Sequence, residues 1–158
     1  MIATNVSVRD GLGCYLLTGP ESAQALDGAG LPAPSQVMSA RMEQGALVAR
    51  TGRDEFMAIL PLDRRAPEGD WCFRRFDRVL AIDGDWVGVM AQLCQFDFRT
   101  LQPGDWLMSS VAGVSCWLYR DGEVLLIGCD PGYGAYLSET IQTVVEDLGT
   151  AYLTGGAS

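Results

Sequence analysis

The chain contains no histidine among its 158 residues. This absence excludes a Ser-His-Asp or Cys-His nucleophile, a histidine general base and metal sites built on imidazole. The five cysteines are odd in number and widely spaced, and no C-x-x-C pair occurs. They therefore indicate neither a zinc site nor a redox motif, and we expect buried thiols. We predict no catalytic residue, no cofactor-binding residue and no metal ligand in this chain.

Long apolar runs and an excess of basic residues are also absent. No run reaches the roughly 18 residues of a membrane span, and the first residues, MIATNVSVRD, lack a signal-peptide core. We therefore expect a cytoplasmic protein. Twenty acidic and 11 basic residues give a net charge of −9, which argues against nucleic acid and anionic membrane as partners. A hydrophobic content of 48% is enough for a core, in one domain or two small halves.

The segment from Glu123 to Gly149 combines a strand, a Gly-rich turn and a helix. It reads EVLLIGC, then DPGYG, then AYLSETIQTVVEDLG, and we expect Gly149 to end the helix. The predicted apolar face of the helix consists of Tyr136, Leu137, Ile141, Val144, Val145 and Leu148. Phosphate-binding loops occupy such turns, but a dinucleotide fingerprint needs three glycines, and Asp130 would repel phosphate. We predict no nucleotide site, with Gly132 and Gly134 serving backbone geometry, through positive φ or close packing.

Short strands and helices alternate along the chain in two similar halves, residues 1–77 and 78–158. The first half is predicted to contain strands at 12–17, 46–50 and 55–60, with a helix at 21–26 and a hairpin turn at 51–54. The second half is predicted to contain strands at 78–82, 106–108, 111–118 and 123–129, with a hairpin turn at 119–122. Asp85 is predicted to cap a helix that runs to about Gln95. This order predicts an α+β fold of two sheet-and-helix halves, a weak internal duplication.

Six segments together carry a family resemblance. They are LTGPESAQAL (17–26), VARTGRDEFMAILP (48–61), LCQFDF (93–98), LQPGDW (101–106), VAGVSCWLYR (111–120) and DPGYGAYL (130–137). This pattern resembles the gamma subunit of heterotetrameric sarcosine oxidase, a small relative of the glycine-cleavage aminomethyltransferase domain. The resemblance spans about residues 10–149 and is carried by many weak positions rather than by one sharp motif.

The resemblance implies two α+β halves packed together in an aminomethyltransferase-like, folate-binding-domain-like fold that lacks the third, C-terminal domain. It implies a non-catalytic structural subunit, without independent activity, of a flavin-dependent complex for the oxidative demethylation of sarcosine. FAD, FMN, NAD and tetrahydrofolate are then expected in the larger, flavin-bearing partner subunits of a heterotetramer, and no cofactor in this chain. The alternative is a stand-alone aminomethyltransferase-like protein that binds a folate or another small ligand.

Aromatic residues next to arginines are the candidates for partner docking. Trp71, Trp86 and Trp106 each follow a Gly-Asp pair, where a tryptophan is often half-exposed and anchors an interface, although packing over a local loop is an equal alternative. Trp117 lies within a predicted strand and is expected in the core. The predicted docking residues are Trp71, Phe73, Arg74, Arg75, Phe76 and Arg78. An isolated subunit with such a surface is expected to be prone to self-association.

Three further charged residues have both a functional and a local interpretation. Asp97 could hold a partner or a folate-like amine, but the residues around it favour a cap that accepts from nearby backbone N–H groups. Arg99 and Arg120 could each bind a partner carboxylate with two parallel hydrogen bonds. Surface ion pairs are the favoured interpretation for both arginines.

Overall fold

The computed structural model describes residues 3–157, with side chains through residue 149. The strands are β1 (Asn5–Val8), β2 (Leu12–Thr18), β3 (Ser39–Glu43), β4 (Ala46–Gly52), β5 (Glu55–Pro61), β6 (Cys72–Arg75), β7 (Arg78–Asp83), β8 (Trp106–Val111), β9 (Val114–Asp121) and β10 (Val124–Cys129). The α-helices are α1 (Ser22–Gly28), α2 (Trp86–Ala91) and α3 (Gly134–Ala157). Two short 3₁₀ helices span Phe98–Thr100 and Pro131–Tyr133.

The chain forms two compact units. The N-terminal unit comprises residues 10–76 and 104–106, and the C-terminal unit comprises residues 1–9, 77–103 and 107–158. The first residues group with the C-terminal unit because β1 pairs antiparallel with β7. The predicted boundary between residues 77 and 78 stays a prediction, and its outer ends at residues 1, 2 and 158 lie outside the described part of the chain.

The N-terminal unit is built on a five-stranded sheet with the order β3-β4-β5-β2-β6. Strands β4 and β5 form the predicted hairpin, with Arg53 and Asp54 at the turn and Ala49 opposite Met57. Their side chains are mostly buried, as a central strand requires. The core cluster of this unit consists of Leu17, Leu26, Leu31, Ala46, Val48, Phe56, Ala58 and Leu60. Leu26 brings α1 into that core and is fully buried.

The C-terminal unit is built on a second five-stranded sheet, ordered β1-β7-β10-β9-β8. Strand β10 lies between β7 and β9 and pairs antiparallel with both. Its continuous apolar sequence fits this central position. Helices α2 and α3 contact each other, and their buried residues Met90, Leu137 and Ile141 join the core formed by the sheet. Two five-stranded antiparallel sheets with a few helices confirm the predicted α+β fold.

Strand and turn boundaries in the second hairpin differ from the prediction. The chain turns at Ala112 and Gly113, which adopt φ values of 52° and 82°, so the predicted continuous strand at 111–118 is wrong. A hydrogen bond of 2.8 Å from the Ala112 N–H to the Leu93 carbonyl oxygen holds this turn. Strand β9 then continues to Asp121, and the next turn lies at Gly122 and Glu123 rather than at 119–122.

The helix ends also differ from the prediction. Asp85 caps α2 as predicted, accepting from the Gly88 N–H at 3.0 Å, but the helix ends at Ala91 rather than near Gln95. Gly149 lies inside α3, which continues to Ala157. Of the predicted apolar face of α3, Tyr136 is 52% exposed and donates its hydroxyl to the Ala112 carbonyl oxygen at 3.0 Å. The other five residues of that face are buried or half-buried.

Candidate functional site

Strand β6 carries three of the six predicted docking residues, and Trp71 and Phe76 directly flank it. It is the last strand of its sheet and pairs antiparallel with β2, so that Tyr15 lies opposite Arg74 and Leu16 opposite Phe73. Trp71, Phe73 and Phe76 are 63%, 47% and 69% exposed. We call Trp71, Phe73, Arg74, Arg75 and Phe76 the β6 patch. Each lies in the N-terminal unit, with the three aromatic rings open to solvent.

The side chains of the β6 patch form two groups. The rings of Trp71 and Phe73 are 6.5 Å apart at their centroids and tilted by 58°. The Arg74 guanidinium lies 5.2 Å from the centroid of the Tyr15 ring and 5.0 Å from that of Phe76, within range of a cation–π attraction. Because Phe73 and Arg74 are successive strand residues, the two groups extend from opposite faces of the sheet.

A glycine leaves room for the Arg74 group. Arg74 donates an Nη1 hydrogen bond of 3.0 Å to the Tyr15 hydroxyl. A Cβ atom on Gly13 would lie 3.1 Å from both Arg74 Nη1 and the Tyr15 hydroxyl oxygen, closer than ordinary packing allows. The absence of a side chain at Gly13 thus leaves space for the Tyr15 and Arg74 side chains, which meet over this residue on one face of the sheet. The position of this charged group is therefore set by the fold.

The sixth predicted docking residue lies in the other unit. Arg78 begins β7, and its side chain lies against the start of α3, where a Cβ atom on Gly134 would come within 3.0 Å of the Arg78 Cβ. Arg75 belongs to the β6 patch and is half-buried, opposite Cys14 in the strand register. The docking role of all six residues stays a prediction.

A cleft that the sequence did not reveal lies beside Trp71. Its volume is about 270 Å³, at the small end for a ligand pocket but adequate for a single side chain. It is lined by Leu17, Thr18, Glu21, Ser22, Gln24, Ala25, Glu68, Gly69, Asp70, Trp71 and Cys72. Three of these residues, Glu21, Glu68 and Asp70, carry carboxylates, whereas none of the lining residues is basic. Acidic residues before Trp71 were the only signal of this cleft in the sequence.

Asp97 and Arg99 form a local pair. The Asp97 carboxylate caps the first 3₁₀ helix by accepting from the Arg99 N–H at 3.1 Å, and it also accepts from Arg99 Nε and Nη2 at 2.9 and 3.0 Å. These hydrogen bonds hold the pKa of Asp97 below its ordinary value. The cap and surface ion pair that the residues favoured are thus the observed arrangement, and both side chains are largely exposed.

Arg120 is held within the C-terminal unit. Its guanidinium donates to the carbonyl oxygens of Gly122 and Leu101 at 2.8 and 2.5 Å and lies 5.1 Å from the centroid of the Trp86 ring. Only 17% of its side chain is exposed, and its surface ion pair with Glu123, at 3.4 Å, is a minor contact beside these. Arg120 therefore positions a turn and covers an aromatic ring.

The tryptophans divide into one exposed and three buried residues. Trp71 is exposed as predicted, and Trp117, at 3%, lies in the core as predicted. Trp86 and Trp106 are only 5% and 6% exposed, so the half-exposed interpretation is wrong for both. The indole N–H of Trp86 donates to the Glu123 carbonyl oxygen at 3.0 Å. Packing over local structure, the stated alternative, is what Trp86 shows.

The Gly-rich turn before α3 is ordered by its aspartate. Asp130 accepts from the Gly132 N–H at 2.9 Å, and Pro131 occupies the first position of the second 3₁₀ helix. Gly132 and Gly134 are not among the glycines with positive φ, and Gly134 has a helical φ of −60°. Close packing against Arg78, rather than positive φ, is thus the constraint on Gly134.

The titratable and metal-binding potential of the molecule is limited. All five cysteines lie in the described part of the chain and none of them forms a disulfide; Cys14, Cys116 and Cys129 are buried, whereas Cys72 and Cys94 are half-buried. Burial raises the pKa of Cys116 to about 12. Within residues 3–157 no group of three or more histidine, cysteine, aspartate or glutamate side chains could hold a metal ion. None of the helices described is long and apolar enough to cross a membrane.

Comparison with known proteins supports the fold. No protein-family model and no curated protein sequence matches the chain. Among solved structures, it is similar to a chain of heterotetrameric sarcosine oxidase from Corynebacterium sp. U-96 in complex with pyrrole 2-carboxylate. The TM-score is 0.76 and the identity 16%, over 91% of this chain and 84% of that chain.

A second solved structure has the same fold over part of its length. It is glycine cleavage system aminomethyltransferase T from Bartonella henselae, with a TM-score of 0.63 and 16% identity. The similarity covers 88% of this chain and 45% of the aminomethyltransferase. At these identities the two structures establish a shared fold. They confirm, at the level of the fold, the resemblance stated from the sequence.

Proposed function

We propose that the chain is a non-catalytic structural subunit of a cytoplasmic, flavin-dependent amine oxidase complex of the sarcosine-oxidase type. The observation that carries this proposal is the fold shared with a chain of a heterotetrameric sarcosine oxidase, over 91% of one chain and 84% of the other. A match across most of both chains favours a corresponding subunit over a shared module. Under this proposal FAD, FMN, NAD and tetrahydrofolate bind to the larger subunits.

The β6 patch supports a docking role. A stable interface buries of the order of 1,600 Å² in total, and its energetic centre is usually formed by tryptophan, tyrosine and arginine. The β6 patch combines three exposed aromatic rings with two arginines on one short strand and the residues directly before and after it. The adjoining cleft has room for a side chain of the partner. We therefore place the contact with the flavin-bearing subunits at this patch.

A second candidate is a stand-alone protein that binds a folate or another small ligand, favoured by the likeness to aminomethyltransferase T. The cleft beside Trp71 argues against a folate there, because Glu21, Glu68 and Asp70 would repel the carboxylates of the folate glutamate tail. A ligand of opposite charge remains compatible with that cleft.

The test is co-purification of the chain with candidate flavin-bearing subunits from the same organism, using a double variant, Trp71→Ala with Arg75→Ala. We expect the double variant to weaken the complex by about 2 kcal/mol or more, since both side chains belong to the proposed centre of the interface. The melting temperature of the isolated variant should stay near that of the wild type, because Trp71 is exposed and Arg75 is only half-buried.

A matched control replaces an exposed aromatic residue and an exposed arginine elsewhere, Tyr133→Ala with Arg53→Ala. This control should leave co-purification unchanged. Undiminished binding by the Trp71 and Arg75 variant would remove the β6 patch as the docking site. If the wild-type chain binds no flavin-bearing subunit but its melting temperature rises with added tetrahydrofolate, the second candidate replaces the first.

A further inference from the structure

The outer edge of β6 is open to another strand. In the described part of the N-terminal unit, β6 has a strand neighbour on one side only, β2. Tyr15 lies opposite Arg74 and Leu17 opposite Cys72 in this antiparallel pair. The Thr18 N–H donates to the Trp71 carbonyl oxygen at 3.0 Å and continues the same register. This hydrogen bond determines which β6 residues direct their backbone N–H and C=O groups towards β2 and which direct them away from it.

Hydrogen-bonded and non-hydrogen-bonded pairs alternate along an antiparallel ladder. Because Trp71 bonds to Thr18, the residues at 71, 73 and 75 direct their backbone groups towards β2. Cys72 and Arg74 therefore direct theirs away from the sheet. The Cys72 N–H reaches the Gly69 carbonyl oxygen at 3.3 Å. The Cys72 carbonyl and both backbone groups of Arg74 are thus presented on the outer side, which is the template that an added strand needs.

The edge strand β6 combines protective and apolar features. Sheet edges are commonly shielded by a short strand, by charged side chains, by proline, by a bulge or by a covering loop, and β6 has the first two, with four residues that include Arg74 and Arg75. Here Trp71 and Phe73 extend from one face and Phe76 from the other, all largely exposed. An extended segment alongside β6 would place its alternating side chains against both aromatic groups. Backbone pairing and apolar contact are therefore available together at one edge.

Charge distinguishes between two possible occupants of the edge. Two copies of this chain, paired antiparallel about Arg74, would place two guanidinium groups directly opposite each other, and like charges in that position are destabilising. A partner strand with a carboxylate opposite Arg74 would instead form an opposite-charge pair. In that register, charge complementarity thus favours a different chain over a second copy.

We propose that the flavin-bearing partner docks by adding an extended strand, with a carboxylate side chain opposite Arg74, to the outer edge of β6. This inference rests on the proposed function and specifies how the β6 patch is used. The added strand continues the five-stranded sheet of the N-terminal unit into the partner subunit.

Two substitutions at one position separate backbone pairing from side-chain contact. Arg74→Ala removes the guanidinium and keeps the backbone N–H, whereas Arg74→Pro removes both. Because that N–H points away from β2, proline costs no hydrogen bond of the sheet itself. With the co-expressed flavin-bearing subunits as the probe, we expect Arg74→Pro to raise the Kd about tenfold beyond Arg74→Ala. Arg74→Glu should also bind more weakly than Arg74→Ala, because it opposes the partner carboxylate.

Hydrogen exchange in the wild-type complex gives an independent readout, which holds even if the proline variant does not fold. The Arg74 amide should exchange quickly in the isolated chain and become protected in the complex, whereas the Phe73 amide, already directed towards β2, should change little. Equal binding by Arg74→Pro and Arg74→Ala, or an unprotected Arg74 amide, overturns strand addition. The proposed function survives that result if the Trp71 and Arg75 variant still weakens the complex, and it fails if no flavin-bearing subunit binds the wild type.

Discussion

At the scale of single residues, Gly128 shows how one missing side chain shapes the core. A Cβ atom on Gly128 would lie only 1.9 Å from Cε2 of the Trp117 ring, which crosses β10 at this point. The Trp117 indole N–H donates to the Asp77 carboxylate at 3.1 Å, so the ring is fixed at its polar end. The ring therefore has little freedom to move aside for a larger residue.

We expect Gly128→Ala to lower the free energy of unfolding by about 1–3 kcal/mol, the usual cost of overpacking a core. Gly28→Ala is the control, because a Cβ atom there would meet no atom within 4 Å and alanine favours a helix. Urea unfolding of both variants measures the difference. Equal stability of the two variants would show that Trp117 can move.

Cys116 carries a pH dependence that can be measured. Burial, followed by the neighbouring thiols of Cys129 and Cys94, raises the pKa of Cys116 to about 12 from an unfolded value of 9.0. The folded state thus favours the neutral thiol of Cys116. The contribution of this thiol to the free energy of unfolding is complete below pH 9 and is lost as the pH rises towards 12.

Raising the pH from 8 to about 10.5 should therefore lower the unfolding free energy of both proteins. We expect the decrease to be about 1–2 kcal/mol larger for the wild type than for Cys116→Ala. Urea unfolding at the two pH values measures this decrease. The decrease is compared rather than the absolute stability, because the alanine variant also loses packing contacts. Identical losses in the two proteins would show that Cys116 titrates no differently in the folded and unfolded chains.

At the scale of elements, two of the glycines in α3, Gly134 and Gly149, lie in opposite environments. Gly134 begins the helix against Arg78, where an added Cβ would lie 3.0 Å from the Arg78 Cβ and Nε atoms. Gly149 lies within the helix, and an added Cβ there would meet nothing within 4 Å. The same substitution should consequently have opposite effects on stability at these two positions of one helix.

Gly134→Ala should destabilise the protein by about 1 kcal/mol, because the Arg78 side chain must move. Gly149→Ala should stabilise it by about 0.5–1 kcal/mol through helix propensity. Thermal unfolding of the two variants, with nucleotide binding followed in parallel, measures both effects. A gain of stability at position 134 would contradict the close packing seen there, and a nucleotide affinity lost with Gly134 would make this turn a binding site.

At the scale of the whole molecule, the expected chemistry is that of a subunit without its own cofactor. The chain purified alone should be colourless, since histidine is absent and the Gly-rich turn has only part of a nucleotide fingerprint. Absorbance after gel filtration measures this. A flavin band in the visible region that stays with the protein would show that the chain itself holds a cofactor.

The exposed rings of the β6 patch predict self-association of the isolated chain. Trp71→Ala with Phe73→Ala should reduce it, because these rings are the contiguous pair on one face. Sedimentation at several concentrations measures the effect. Unchanged self-association in that variant would show that the self-associating surface lies elsewhere on the molecule.

The sequence by itself determined the elements whose signals are local. The β4–β5 hairpin, α1 and the cap of α2 depend on apolar periodicity, turn residues and Asp85, all readable within a few positions. Exposure of Trp71 was predicted from its local sequence, but the same Gly-Asp-Trp pattern gave the wrong exposure for Trp86 and Trp106. The short strands β1, β3 and β6 carry little periodicity of their own and were missed, because pairing with a distant strand is what makes them strands.

Only the tertiary structure decided the features that depend on contacts between distant residues. The turn at Ala112 is held by Leu93 and Tyr136, which lie 19 and 24 positions away. Trp86 is buried because Arg120 and Glu123 cover it, although its local sequence matches that of the exposed Trp71. The open edge of β6 arises in the same way, since position at the margin of a sheet is a property of strand order. Local sequence sets the conformational preference of each residue. Pairing between distant strands determines which side chains and strand edges remain exposed to solvent.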